Sequence, residues 1–310
     1  MNEQRRVLVT GATGFIGRAL CQQLKGRHEV LALARPGSKR LESFRAITGI
    51  QPVCGDLGDI WAVVAGLGRI DTVIHLGWSG MSKEAQASAT IQSQDHTNSL
   101  ALVEAAGAAG CKMFIGVGSQ AEYGPVHGVI TEETPCHPVS EYGKAKLSFA
   151  RKGCELSARV GMRWRMARIF SVYGPHDHPW TLMPALLLAL DRREAIPLTD
   201  CSQLWNFLFI DDAARALVGL LDPDCEDGIY NLGSETTAPL KDFVLQACAL
   251  FSDSPPPQFG QLAHGLGGPV SLRPCVQKIR RNTDWVEQIG FAEGLRRTWA
   301  ALNHQAISIP

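Results

Sequence analysis

Tyr142 and Lys146 stand four apart in Glu141-Tyr142-Gly143-Lys144-Ala145-Lys146, so on a helix their side chains share a face. A free tyrosine titrates near about pH 10 and exchanges protons poorly at neutral pH. An ammonium beside it favours the phenolate and lowers that value. A tyrosine so placed can trade a proton with an alcohol or ketone oxygen. The same spacing also describes a tyrosine packing a surface helix next to a solvated lysine, so it needs companions before it means chemistry. Ser119 is the first companion. It follows the apolar run Met113-Phe114-Ile115-Gly116-Val117, which puts its hydroxyl at the end of a buried strand, able to bond the same oxygen.

These side chains need a sheet to bring them together, and the N-terminal half spells one. Val7-Leu8-Val9 reads as a strand, and Thr10-Gly11-Ala12-Thr13-Gly14-Phe15-Ile16-Gly17 follows at once. A strand that runs into three spaced glycines and then a helix suits a dinucleotide pyrophosphate. Glycine lets the backbone approach the phosphates with no Cβ in the way. The free N–H groups and positive dipole end of the helix face the anion. Phe15, Ile16, Ala19, Leu20 and Leu24 keep helical spacing, and a strand over 29–35 completes a βαβ unit. Further strands are expected at 51–56, 72–76, 113–117 and 165–170, with helices at 95–109 and 139–159. That alternation predicts an α/β fold, a Rossmann-type doubly wound parallel sheet covered on both faces. Asp56 and His75-Leu76-Gly77 then end strands on the ligand-binding edge, Asp56 toward an adenine amino group and the histidine segment near a ribose.

From about Ser171 the alternation loosens. A helix is expected near 183–193, a strand near 205–210, a helix over 211–221 and a strand over 229–232, with loops at 254–257 and 265–269. The expected division is a dinucleotide-binding domain over 1–170 and a small, mainly substrate-binding C-terminal lobe over 171–310. Segments near 200–222 are expected to return to the first domain.

Composition narrows the classes. With 310 residues, 45% hydrophobic and 19% charged, the chain can bury a sizeable core. Thirty basic residues balance thirty acidic ones, which gives no signal for a nucleic-acid partner. No apolar stretch nears the roughly 20 residues that span a bilayer, and no signal-peptide core precedes the first strand. A cytoplasmic protein with no membrane partner is the expectation. Nine cysteines without a Cys-x-x-Cys pair read as free thiols, not a zinc site or disulfide framework. His176 and His178 flank Asp177 as polar contacts or plain loop, and no metal is expected.

Taken in order, Thr10 to Gly17, Gly55-Asp56-Leu57, His75-Leu76-Gly77, Gly118-Ser119 with Tyr123-Gly124, Tyr142 with Lys146, Arg168 to Pro175, Asn206 to Asp212 and Tyr230 to Ser234 form a specific set. The chain resembles the extended short-chain dehydrogenase/reductases, in the nucleotide-sugar epimerase, dehydratase and reductase group, over nearly its whole length. The resemblance implies an NAD(P)-dependent enzyme acting on a sugar carbonyl or hydroxyl of a nucleoside diphosphate sugar. By it, Ser119 and Tyr142 polarise the oxygen and relay the proton, and Lys146 also bonds the nicotinamide ribose. Gly11, Thr13, Gly14, Phe15, Ile16 and Gly17 line the pyrophosphate, Asp56 and Leu57 lie near adenine, and Leu76 lies along the cofactor. Trp78, Gln120, Ser171 and His176 fall on the substrate side. Arg273 is a candidate for the substrate diphosphate, and equally an ordinary surface arginine. A homodimer through the helices at 95–109 and 139–159 is also implied, although these helices can equally pack only within one chain.

Departures from the family pattern refine the expectation. The 4,6-dehydratases of the group carry an Asp-Glu pair after the hydroxyl residue, whereas this chain has Gln120 and Ala121, so dehydration is not expected. Glu122, if on the strand, would face the other way. Asp95 stands where the family often has Asn and is given no role; Asn98 either substitutes or is a polar face residue. At the end of the second strand, where NAD-selective members place an acid, stand Arg35 and then Pro36-Gly37-Ser38-Lys39-Arg40. A guanidinium and a serine suit a 2′-phosphate, which favours NADP over NAD. The leading expectation is reduction of a 4-keto-6-deoxy nucleotide sugar with Tyr142 as proton donor. A 4-epimerase uses the same residues, and a non-catalytic dinucleotide sensor is the alternative from another class.

Overall fold

Short apolar segments become strands β1 (Arg6–Thr10), β2 (Glu29–Ala34), β3 (Ile50–Cys54), β4 (Thr72–His75), β5 (Met113–Ser119) and β6 (Arg163–Ile169). The second half adds β7 (Ser171–Tyr173), β8 (Leu204–Phe209), β9 (Gly228–Leu232) and β10 (Thr237–Pro239). The structure, a computed structural model, describes residues 4–38, 44, 47, 49–251, 253–264 and 270–306. Lys39, Arg40 and the loop at 265–269 lie outside them.

Seven strands form one sheet in the order β3-β2-β1-β4-β5-β6-β9, each neighbouring pair parallel. The chain leaves β1 toward β3, then returns to β4 on the other side of β1. That reversal opens a crevice at the carboxyl ends of β1 and β4, where ligands bind in such sheets. Helices α1 (Phe15–Leu24), α2 (Ile60–Leu67), α3 (Lys83–Ala87), α4 (Ala89–Ala108) and α5 (Glu141–Arg159) connect the first six strands. Helix α6 (Leu182–Asp191) leads to β8, and α7 (Ile210–Gly219) follows β8 directly.

The sheet is buried on both faces, which is why its strands are apolar without alternation. One face packs Val7, Val9, Leu20 and Leu24 against Ala213, Ala216 and Leu217 of α7. The other packs Leu8, Leu31 and Phe114 against Ile60, Leu102 and Phe149. The buried Arg165 guanidinium of β6 donates to the main-chain oxygens of Leu220, Asp222 and Cys225. Those carbonyls lie at and just beyond the end of α7, where a cation complements the helix dipole. A second sheet, β10-β8-β7, supports a separate apolar cluster. Tyr173 of β7, Leu186 of α6 and Phe207 of β8 form it with Phe243 of α8 (Leu240–Cys248) and Leu295 of α10 (Phe291–Ala306), whereas α9 (Gln277–Asn282) packs Ile279 into the first cluster.

Boundaries shift where caps decide them. The helix expected at 95–109 begins at Ala89, because the Ser88 hydroxyl accepts from the Ile91 amide. The helix expected from 139 begins at Glu141, capped by Ser140 through the Gly143 amide at 3.0 Å. β5 continues through Ser119, two residues past the expected end. No described helix is long and apolar enough to cross a membrane.

Candidate active site

A cavity of about 940 Å³ opens along the carboxyl ends of the large sheet. Ala34, Arg35, Ser38 and Asp56 line one end; Gly11, Thr13, Gly14, Phe15, Ile16 and Gly17 line the middle; Ser119, Tyr142 and Lys146 line the other. Leu57, Leu76, Trp78, Asn98 and Val172 also contribute.

The middle is built to receive an anion. Gly11 has φ 65°, and a Cβ there would stand 2.8 Å from the Gly77 main-chain nitrogen. Only glycine lets the two turns meet this closely. Helix α1 starts after Gly14 with no side-chain cap and no acid in its first turn, which leaves its dipole uncompensated toward the cavity. Below this floor the Thr10 hydroxyl accepts from the Gly77 amide at 3.0 Å and donates to His75 Nδ1 at 2.7 Å. His75 Nε2 lies 2.9 Å from Ser99 Oγ, which itself donates to the Asp95 carbonyl. The network therefore fixes the Nε2–H tautomer, and complete burial lowers the His75 pKa to about 3. Its place at the end of β4 predicts His75 near the cofactor ribose. It lies instead beneath the floor, as a neutral brace.

The β4–α3 loop is clamped from α4. The Asp95 carboxylate accepts from Ser79 N, Ser79 Oγ and Gly80 N at 2.8–3.0 Å. Gln92 donates to Gly80 O and accepts from Trp78 Nε1. Asp95, to which the sequence assigns no role, thus shapes the cavity wall. The signal was present: Gln92, Asp95 and Ser99 are polar residues at helical spacing, and all three are buried.

Tyr142 and Lys146 sit one turn apart on α5, 7% and 3% exposed. Ser119 lines the same wall of the cavity, and its hydroxyl favours the Tyr142 phenolate. Lys146 Nζ donates to the Val117 carbonyl at 2.9 Å and lies 3.7 Å from the Trp78 ring centroid. Burial raises the Tyr142 pKa above its ordinary value, and the Glu122 and Asp95 carboxylates push it the same way. The expected lowering by Lys146 is overturned, because desolvation of the phenolate wins. Burial instead lowers Lys146 to about 7, against the upward pull of Glu122 and Asp95.

Gln120, Ala121 and Glu122 form a 3₁₀ turn, not a strand extension. Glu122 is therefore not turned away by strand alternation but folds back under Ser119. Its Oε1 accepts from Ser119 N at 2.9 Å and its Oε2 from Arg168 Nε at 2.8 Å.

Four residues expected on the substrate side do not line this cavity. Gln120 sits in the turn. Ser171 pairs with Phe207 on the neighbouring strand. His176 occupies a positive-φ loop position. Arg273 is exposed, and its carbonyl accepts from the Ile130 amide. Asp177, His178 and Thr181 line the wall instead. Asp177 accepts from His178 N and Thr181 Oγ1, and burial raises its pKa to about 6. Among the described residues no cluster of three metal-ligating side chains occurs.

Residues 7–233 fit a model described as the NAD dependent epimerase/dehydratase family. A dTDP-glucose 4,6-dehydratase of Neisseria gonorrhoeae is 28% identical over 333 residues, covering 95% of this chain and 94% of that protein. A UDP-glucose 4-epimerase of Corynebacterium glutamicum is 26% identical over 305 residues, 91% of each. Among solved structures, MoeE5 in complex with UDP-glucuronic acid and NAD aligns with a TM-score of 0.85 at 25% identity, over 97% of this chain and 99% of that one.

Proposed function

Because the chain belongs to the NAD-dependent epimerase/dehydratase family, we propose that it reduces the keto group of a 4-keto-6-deoxy nucleoside diphosphate sugar, with Tyr142 as proton donor. The close-approach turn at Gly11 and the uncapped start of α1 fit a dinucleotide pyrophosphate. When bound, the dinucleotide supplies hydride to the carbonyl carbon. Tyr142 gives its phenolic proton to the carbonyl oxygen, so the product is an alcohol. Ser119 bonds that oxygen and orients it toward the phenol. Lys146 presents an ammonium to the nicotinamide ribose and stabilises the phenolate left after transfer.

The observation that favours the reductive direction is Arg35 with Ser38 on the cavity wall, since both suit the 2′-phosphate of NADPH, the exchangeable reductant. Elimination is disfavoured because Gln120 and Ala121 offer no acid or base and Glu122 is occupied by Ser119 and Arg168. Arg35 and Ser38 at the adenine end, with no acid closing β2, favour NADP over NAD. The lobe of the second half would hold the sugar nucleotide, and α4 packed on α5 offers a surface for a homodimer, which light scattering in solution tests.

A 4-epimerase is the second reading, favoured by the similarity to the UDP-glucose 4-epimerase. The deciding experiment mixes the purified protein with NADPH and a panel of nucleotide sugars, keto and non-keto. NADPH oxidation matched to sugar reduced supports the reductase. Interconversion of C4 epimers with retained, unconsumed dinucleotide replaces it by the epimerase.

A further inference from the structure

We propose that Trp78 is a positioning residue for Lys146, its indole face holding the ammonium at the cavity wall with N–H groups left over for a bound dinucleotide. The inference rests on the reading of the cavity as the dinucleotide site.

Lys146 is a buried cation with no salt bridge among the described residues. Its polar contact is the Val117 carbonyl, and its closest charge-stabilising surface is the Trp78 ring, 3.7 Å away at the centroid. A carboxylate in that place would pair with the ammonium and compete with ribose hydroxyls for its hydrogens. An aromatic face stabilises the charge without taking a directed hydrogen bond. The donors therefore remain available.

The ring cannot drift away. Its Nε1 is bonded to Gln92 Oε1 at 2.8 Å, and the main chain just after it is bonded to Asp95. Tyr142 meets it edge to face, with centroids 6.3 Å apart at 82°. The charged or titratable groups around the ammonium are Glu122 and Asp95, which favour its charge, Tyr142 on its own helix, and the neutral His75. Burial, set against Glu122 and Asp95, brings the Lys146 pKa to about 7, so the π face sits where a modest stabilisation changes the charge state. Loss of the ring leaves a lysine more easily deprotonated and free to change rotamer.

The test is a double-mutant cycle on dinucleotide binding, which needs no sugar substrate. NADPH and NAD dissociation constants are measured for the intact chain and for Trp78→Phe, Trp78→Leu, Trp78→Met, Lys146→Met and the Trp78→Leu, Lys146→Met double variant. The expected result is about tenfold weaker binding for Leu and Met, threefold or less for Phe, and no further loss from Trp78→Leu once Lys146 is Met. The upper pH limit of binding should also move to lower pH in the Leu and Met variants and stay in place in Phe. An equal loss in both lysine backgrounds, or none at all, overturns the proposal. If the unaltered chain binds neither dinucleotide, the reading of the cavity itself falls.

Discussion

The Glu122 carboxylate meets the Arg168 guanidinium at 2.8 Å, with the two side chains 0% and 2% exposed. The same carboxylate accepts from the Ser119 amide, and it fills the space a Cβ on Gly118 would need, 2.2 Å from that position. Arg168 in turn lies 4.4 Å from the Tyr123 ring centroid, and the Tyr123 hydroxyl donates to Asn231 at 2.6 Å. A buried polar chain with one ion pair thus runs from the last residue of β5 to β9. Removing one member leaves the other charge buried and unpaired. Glu122→Ala should lower unfolding stability by roughly 3–5 kcal/mol, read from urea denaturation. Gly118→Ala should lower it too, by displacing the carboxylate.

Tyr142→Phe removes the proton donor and leaves the cavity's shape. The expected outcome is a kcat lower by about 10²–10⁴-fold in the sugar-nucleotide assay, with NADPH affinity within about twofold. Unchanged turnover would take Tyr142 out of the chemistry and require another proton donor.

Arg35→Glu places a carboxylate at the end of β2. Steady-state KM values for NADPH and NADH should move in opposite directions, with the preference for NADPH falling about tenfold or more. A ratio that does not move would show that Arg35 is only a solvated residue at the rim.

His75 ties stability to pH. Its ordinary value is 6.5 and its folded value about 3, so only the unfolded chain takes up the proton between them. Its contribution is whole above about pH 6.5 and drains away as pH falls toward 3, at up to about 1.4 kcal/mol per unit. Denaturation curves from pH 7 to 4 should show this slope, and His75→Gln should flatten it. An unaltered slope would place the sensitivity elsewhere.

The sheet was legible because its strands are unbroken apolar runs and a glycine turn with a helix behind it marks where the first of them ends. Ser119, Tyr142 and Lys146 were legible together because a strand end and a helical spacing fix directions as well as positions. Loops do not carry that information. Ser171 and His176 lie beside a recognisable motif, yet strand pairing and a positive-φ turn take them off the cavity wall. Asp95 shows the converse. Its service is to the main chain of Ser79 and Gly80, partners that no residue-type pattern names. Lys146 illustrates a third limit, since spacing gives its distance to Tyr142 but not the desolvation that reverses the expected shift.

β9 pairs with β6, yet the chain builds β7, α6, β8 and α7 between them. The outer hydrogen-bonding edge of β6 therefore stays open until Gly228–Leu232 has been synthesised. A fragment stopped short of Gly228 would not be a smaller cofactor-binding unit but a sheet with a bare, apolar flank, prone to pair with its own copies. Maturation of this protein is thus tied to its late residues, and a ribosome-bound intermediate should need shielding until they emerge.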